Sequence, residues 1–430
     1  MENLNRDLID FIDASVSPYH TVYQIKMRLI EDGYKELKES DSWYLEKSEG
    51  YFVTRDDSSV IAFRVPENEF DGFQIAASHS DSPAFKLKPA FELSESPYLR
   101  VNAEKYGGLV LSSWLDRVLG VAGRIIVKEG KDLKTKLVNL ERDIALIPSV
   151  APHLMQGETK LNPAVDMVAL MGEKESASRL LSLIAESVGT DRENIISHDL
   201  YLVNRDKGRM WGVNSEFVSA PRLDDLQCVY SSLVGFLLSS EEVNMPILAV
   251  FDSEEVGSTS LQGANSDFLT TTLERIADAL DISSSDYKRL LSSSFFISAD
   301  NAHTVHPNHP ELTDSLNKAY LNSGIVIKHN AQMRYITDAR GEAIVKGLCR
   351  ISDVPYTDYT NRSDIQGGST LGHIAISKVS ILGADIGLPE LSMHSAFETI
   401  GKRDTEYATR FFEAYFSAYI KIKDNVFSIE

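Results

Sequence analysis

Apolar positions along the chain follow two periods, and the period switches several times. Between Asn5 and Asp32 they recur at helical spacing with an interruption at Pro18, which predicts an amphipathic helix broken there. "SSVIAFRV" and "FQIAASHS" are β-compatible runs that predict two strands. From about Pro97 to Leu140 the pattern is β-rich, and "GRIIVKEGKDLKTKLVNL" reads as a hairpin turning near Glu129 and Gly130. A helix is expected around "ASRLLSLIAESVG". After Pro221, "LDDLQCVYSSLVGFLLSS" has helical periodicity through Leu226, Val229, Tyr230, Leu233, Val234 and Leu237. "MPILAVFD", "SSSFFISAD" and "KVSILGADIG" are continuous apolar runs, as in strands covered on both faces. The tail, "DTEYATRFFEAYFSAYIKI", reads as a long amphipathic helix capped by Thr405.

This is an α/β layout with a mostly parallel sheet, interrupted by a β-rich insert. The expected division is a discontinuous domain over 1–91 and 221–430 and an insert over 92–220. A chain of 430 residues is too long for one ordinary compact domain, and 43% hydrophobic with 25% charged residues is a globular composition. No stretch approaches the ~20 consecutive apolar residues of a membrane span. The N-terminus lacks the basic and apolar regions of a secretory signal. A net charge of −20 argues against nucleic acid or an anionic membrane as partner. Cys228 and Cys349 form no C-x-x-C pair and read as buried free thiols, so a cytoplasmic protein is expected.

Candidate chemistry collects where the strands end. "FQIAAS" leads into His79 and Asp81, "MPILAVFD" into Glu254 and Glu255, "SSSFFISA" into Asp300, and "KVSILGADIG" into a loop carrying His394. Asp224 stands just before the Leu226 helix. Each has a bland explanation: a helix cap for Asp224, a solvated loop for the glutamates, a surface residue for His394. Strand after strand ending in an acid or a histidine is harder to assign to chance, because ligands gather beyond the C-terminal edge of such sheets. Histidines mixed with carboxylates suit Zn²⁺, Mn²⁺ or Co²⁺. Adjacent glutamates on an extended segment point apart, so one can bind metal while the other faces substrate. A hydrolase using activated water needs that pair, a ligand and a base.

Nearly the whole chain resembles the M18 (aspartyl) aminopeptidases, in their bacterial type. The resemblance runs through "SPYHT", "AASHSDSPAFKLKP", "YGG", "WLDR", "SAPRLDDL", "FDSEEVGS", "SADNAHTVHPN", "IKHNAQMRY", "GGSTLG" and "SMHS". It implies a dinuclear zinc peptidase domain, a β-rich oligomerisation domain and assembly into a tetrahedral homo-dodecamer. The activity implied is removal of N-terminal residues from peptides, with preference for Asp or Glu. Carried over by motif, His79 and Asp300 hold one ion, Glu255 and His394 the other, and Asp224 bridges them. Glu254 is then the general base toward a bridging hydroxide, and Asp81 fixes the His79 imidazole.

The resemblance also implies a donor from a neighbouring subunit, for which His153 is the match; a histidine within the insert's own fold is the alternative. Lys328 matches the lysine of an acidic-residue pocket, and Arg334 could share that role. His303, His306 and His309 read as supporting or surface residues, and "GGSTLG" lacks the lysine of a phosphate loop. Two departures stand out: Asp225 where the family often has Asn, and Ala396, Phe397 and Glu398 after "MHS". The ligand pattern alone would also suit a carboxypeptidase, a deacylase or a catalytically idle assembly protein.

Overall fold

The computed structural model describes residues 2–154, 160–240, 243–423 and 426–430. Among these, nine strands form a mixed sheet whose centre is parallel: Met245–Phe251, Phe73–His79, Phe295–Ala299 and Leu382–Gly387. Lys35–Leu37, Gly50–Arg55 and Ser59–Arg64 extend one side, and Ile325–His329 and Tyr356–Thr360 the other. The central runs are apolar without alternation because both faces are covered. Ile75 and Ile247 face one helical layer, which includes Phe268–Ala279 and Leu371–Val379. Ala76, Leu248 and Ile297 face the other, with Glu2–Ala14, Pro18–Glu31, Leu223–Leu238, Ala339–Ile351 and Asp404–Ser417. Each fully buried Leu or Ile stabilises this sandwich by about 1.5–3 kcal/mol.

The β-rich region is a closed barrel of strands Ala84–Leu93, Tyr98–Tyr106, Val118–Glu129, Asp132–Leu146, Ala169–Glu173 and Ile195–Asn204. Its long hairpin pairs Glu129 with Asp132 around Gly130, where the turn was expected. Phe85, Val121, Ile125 and Leu200 fill the interior, with Ile184 from the helix Arg179–Val188. The first barrel strand continues directly from the loop after His79, so barrel and central sheet meet at that strand end. A further sheet orders Arg209–Trp211, Phe217–Ala220, Glu398–Gly401, Pro389–Leu391 and Ala302–His303 beside the same edge.

Two expectations are corrected. The tail helix stops at Ser417, because Ala418 is extended and Ile420–Lys423 pairs with Val426–Ile429 as a hairpin. Thr405 does not cap it: Arg403 precedes the helix without a side-chain cap bond, and the buried Thr405 hydroxyl accepts from Gln227 instead.

Candidate metal centre

The parallel register sets the ends of the central strands side by side, with Phe251 opposite His79 and Ala299 opposite Ile386. The loops that follow converge on a cavity of about 450 Å³ lined by His79, Asp224, Glu254, Glu255, Asp300, Lys328 and His394. Arg222, Ser253 and His394 all have φ between +59° and +65°. That conformation costs non-glycine residues roughly 1 kcal/mol or more, so the surrounding structure must impose it at each of these loops.

Asp224 occupies the centre. Its Oδ1 lies 3.6 Å from His79 Nε2 and its Oδ2 lies 3.3 Å from His394 Nε2. His394 Nε2 is also 3.4 Å from Glu255 Oε1. Asp224 does not cap the helix that follows: its Oδ1 is buried without a hydrogen-bond partner and its Oδ2 faces His394. Each imidazole is oriented through its other nitrogen: His79 Nδ1 lies 3.0 Å from the carbonyl oxygen of Asp81, and His394 Nδ1 lies 2.7 Å from that of Gly108. Such contacts leave Nε2 aimed into the cavity.

Burial opposes ionisation of Asp224, but the two imidazoles prevail and hold its carboxyl well below the usual range. Burial also raises Glu254, to about 8, with help from Asp300, Asp81 and Asp224, and raises Glu255 well above the ordinary value. His394 rises to about 10 despite burial, through Asp224 and Glu255. Crowding of buried acids is what a divalent cation relieves.

The donor chemistry fits such ions. His79, Asp224 and Asp300 present ligand atoms within 4.8 Å of one another, and so do Asp224, Glu255 and His394. The two sets share Asp224. Asp224 Oδ1 and Glu255 Oε1 are buried without a hydrogen-bond partner. His79, Glu254 and Glu255 form a third overlapping set.

The pair Glu254 and Glu255 is not extended, as the sequence had suggested. It opens a tight 3₁₀ turn, Glu254–Val256, entered through the positive φ of Ser253. Asp81 secures this turn: its carboxylate accepts the backbone N–H of Glu254 at 3.1 Å and of Glu255 at 3.2 Å, together with the Tyr106 hydroxyl at 2.7 Å. Its Oδ1 is 3.4 Å from His79 Nδ1, farther than its own carbonyl.

The family model for "Aminopeptidase I zinc metalloprotease (M18)" matches residues 11–416. The chain belongs to the M18 aminopeptidase family. A probable M18 family aminopeptidase 2 of Clostridium acetobutylicum is 42% identical over 424 residues, covering 96% of this chain and 98% of that protein. Aspartyl aminopeptidase 4 of Saccharomyces cerevisiae is 38% identical, covering 98% of this chain and 96% of its own. Among solved structures, Ape4 in complex with Nbr1 gives a TM-score of 0.94 at 34% identity, covering 96% of this chain and 85% of that one. The S. cerevisiae mApe1 dodecamer gives 0.84 at 26% identity, covering 96% and 95%. A metal-dependent aminopeptidase, of a zinc metalloprotease family, follows from this membership.

Other M18 motif residues fall in different places. Lys328, which in isolation would read as a surface lysine, is buried; its Nζ donates to the Asn301 carbonyl at 2.8 Å and lies 3.7 Å from Asp300 Oδ2. Burial works against its charge, but Asp300 holds its pKa above the ordinary lysine value. Arg334 lies outside this cavity, lining a neighbouring hollow and donating to the Gly367 carbonyl at 2.9 Å. His153 is exposed on the turn Pro152–Leu154 and is not among the described residues lining the cavity. His303 lines the cavity, while His306 and His309 lie on the surface with ring centroids 5.2 Å apart and planes tilted by 37°.

Sequence reasoning missed the work of Glu398. This buried carboxylate accepts the backbone N–H of Asp224 at 3.1 Å and of His394 at 2.7 Å, fastening two ligand loops together. Its only sequence signal was the departure after "MHS". The Asp224–Asp225 peptide is cis, and Asp225 Oδ2 accepts the backbone N–H of His79 at 3.1 Å.

Proposed function

We propose that the chain removes N-terminal residues from peptides, preferring Asp or Glu, with two divalent ions, zinc foremost, in the shared donor sets. His79 and Asp300 would hold one, Glu255 and His394 the other, and Asp224 both. The observation that carries this reading is the pair of donor sets joined at Asp224, with Glu254 facing the same cavity. When bound, such ions supply Lewis acidity to water and to the scissile carbonyl.

The chain's own groups do the rest. Glu254 takes the proton of the attacking water and returns it to the leaving amine. Asp81 keeps Glu254 and Glu255 on opposite tasks by fixing the backbone of their turn. Lys328 offers a cation to an acidic side chain inside a protein of net charge −20. At ~4 Å an opposite charge is worth about 4 kcal/mol at an effective dielectric near 20. Arg334, which lines the neighbouring hollow, would share the role of Lys328 for a substrate side chain that reaches it.

His153, exposed on the inserted region, would complete a neighbouring subunit's site by donating to the carbonyl oxygen. That role requires assembly, and the dodecameric state of the mApe1 relative supports a homo-dodecamer here, with the barrel as the assembly element; its first strand begins at Ala84, ahead of the expected 92–220 insert. Metal analysis combined with assays on aspartyl, glutamyl and leucyl amides tests the reading. Two equivalents of ion per chain and faster acidic substrates are expected; activity on C-terminal residues alone would refute it.

A further inference from the structure

Asp385 sits in the central strand Leu382–Gly387 among apolar neighbours, fully buried, and belongs to none of the donor sets found among the described residues. Its Oδ2 accepts the backbone N–H of Ile336 at 2.5 Å, and its Oδ1 accepts the Thr370 hydroxyl at 2.5 Å. The Thr337 hydroxyl closes the loop, accepting from the Asp385 backbone N–H at 2.9 Å and donating to its carbonyl at 3.3 Å. Burial raises the carboxyl, against the pull of Thr370, Ile336 and Lys328. A buried carboxylate is tolerated when donors meet its oxygens, and these donors come from two segments far apart in sequence.

Both segments line the cavity. Tyr335 immediately precedes Ile336, and Gly368, Ser369 and Thr370 form the other piece. Like Lys328 and Tyr359, which also line the cavity, they belong to none of the donor sets among the described residues.

Thr370 also stands at the N-cap of the helix Leu371–Val379 with extended backbone, a position whose hydroxyl usually accepts from that helix. It makes no cap bond and turns to Asp385 instead. The helix is pressed against the same carboxylate: a Cβ added at Gly372 would lie 2.7 Å from Ser298 Cβ and 2.9 Å from Asp385 Oδ1. A threonine that gives up its own helix cap to reach a buried acid is holding a distance.

We propose that Asp385 is a positioning residue for substrate, tying the Tyr335 and Thr370 segments to one strand and thereby setting the width of the cavity wall that receives the substrate's N-terminal residue. This rests on the reading of the cavity as the aminopeptidase site.

Thr370→Val, Thr370→Ser and Asp385→Asn, prepared as zinc-loaded full chains, test it. Metal content, KM and kcat on aspartyl and leucyl amides, and calorimetric binding of free aspartate and leucine are measured for each. Thr370→Val and Asp385→Asn are expected to raise KM and the amino-acid Kd about tenfold, with kcat within about threefold and metal content unchanged. Thr370→Ser should restore KM, since it returns the hydroxyl. Unchanged KM and Kd in Thr370→Val, or a loss confined to kcat and metal content, overturns the inference while leaving the aminopeptidase reading intact. A wild-type protein that neither cleaves the amides nor binds the amino acids overturns both. Should Asp385→Asn fail to fold, the Thr370 pair decides alone.

Discussion

The ring of His394 is held by the backbone of Gly108, whose carbonyl oxygen lies 2.7 Å from Nδ1. Gly108 follows the barrel strand Tyr98–Tyr106, so a residue of the inserted region orients a candidate ligand of the central sheet. Gly107 beside it has φ +74°, and a Cβ there would sit 3.1 Å from Glu255 Cβ and 3.2 Å from its Oε2. A Cβ at Gly108 would sit 3.2 Å from His394 Nδ1, so the "YGG" motif is a spacer that leaves little room for side chains next to two donors. Gly107→Val should weaken zinc binding about 10- to 100-fold, the usual effect of disturbing what orients a ligand. Competition with a chromophoric chelator measures it, and unaltered affinity would show that the insert does not support the metal centre.

Glu254→Gln should keep its metal and lose activity by about 10²- to 10⁴-fold, because the donors remain and only the proton acceptor is removed. Elemental analysis beside kcat separates the two. Because Glu254 also belongs to a donor set with His79 and Glu255, loss of metal in this variant would exchange the roles assigned to the two glutamates.

The sequence exposed the strand ends well, since continuous apolar runs stopping at His79, Asp300 and Glu254 mark a covered parallel sheet and its C-terminal edge. It was blind to how the loops are fastened. Asp81 takes the backbone N–H groups of Glu254 and Glu255, and Glu398 takes that of the distant Asp224 together with that of nearby His394, and such contacts leave no periodicity to read. The same holds for the turn at Glu254, where the positive φ falls on a serine and not on a glycine. The tail misled because "YIKI" continues an apolar pattern that the preceding helix had established, while its pairing partner lies beyond it at Val426–Ile429.

His20 gives a pH dependence separate from the metal centre. It is buried with Nδ1 2.8 Å from the Ser17 hydroxyl, and burial together with the nearby Arg222 charge lowers its pKa to about 4. An unfolded histidine titrates near 6.5. The folded state therefore takes up this proton later than the unfolded one, so stability is present above pH 6.5 and is lost as pH falls toward 4. The loss is of order 3 kcal/mol in full. His20→Asn removes the titration, so its stability relative to wild type should improve steadily from pH 7 to pH 5 in urea unfolding. A gap that stays constant over that range would mean His20 carries none of the acid sensitivity.

Lys328 decides between two electrostatic roles. Its Nζ already donates to the Asn301 carbonyl and faces Asp300 at 3.7 Å, yet an ammonium has three donors and lines the cavity. If the remaining donor capacity meets an acidic substrate side chain, Lys328→Leu removes an attraction that leucyl substrates never had. If Lys328 serves only to balance Asp300, every substrate suffers alike. The expected outcome is a fall in kcat/KM of about 10²-fold or more for aspartyl amides, below the ~4 kcal/mol ceiling of a close pair at an effective dielectric near 20. Leucyl amides should lose less than about tenfold, the shared part that reflects Asp300. Metal content of the variant, measured in parallel, shows whether that shared part comes from weakened binding of the ion. Equal losses on the two substrates would assign Lys328 to Asp300 alone, and a wild-type enzyme that treats aspartyl and leucyl amides alike would remove the acidic preference itself.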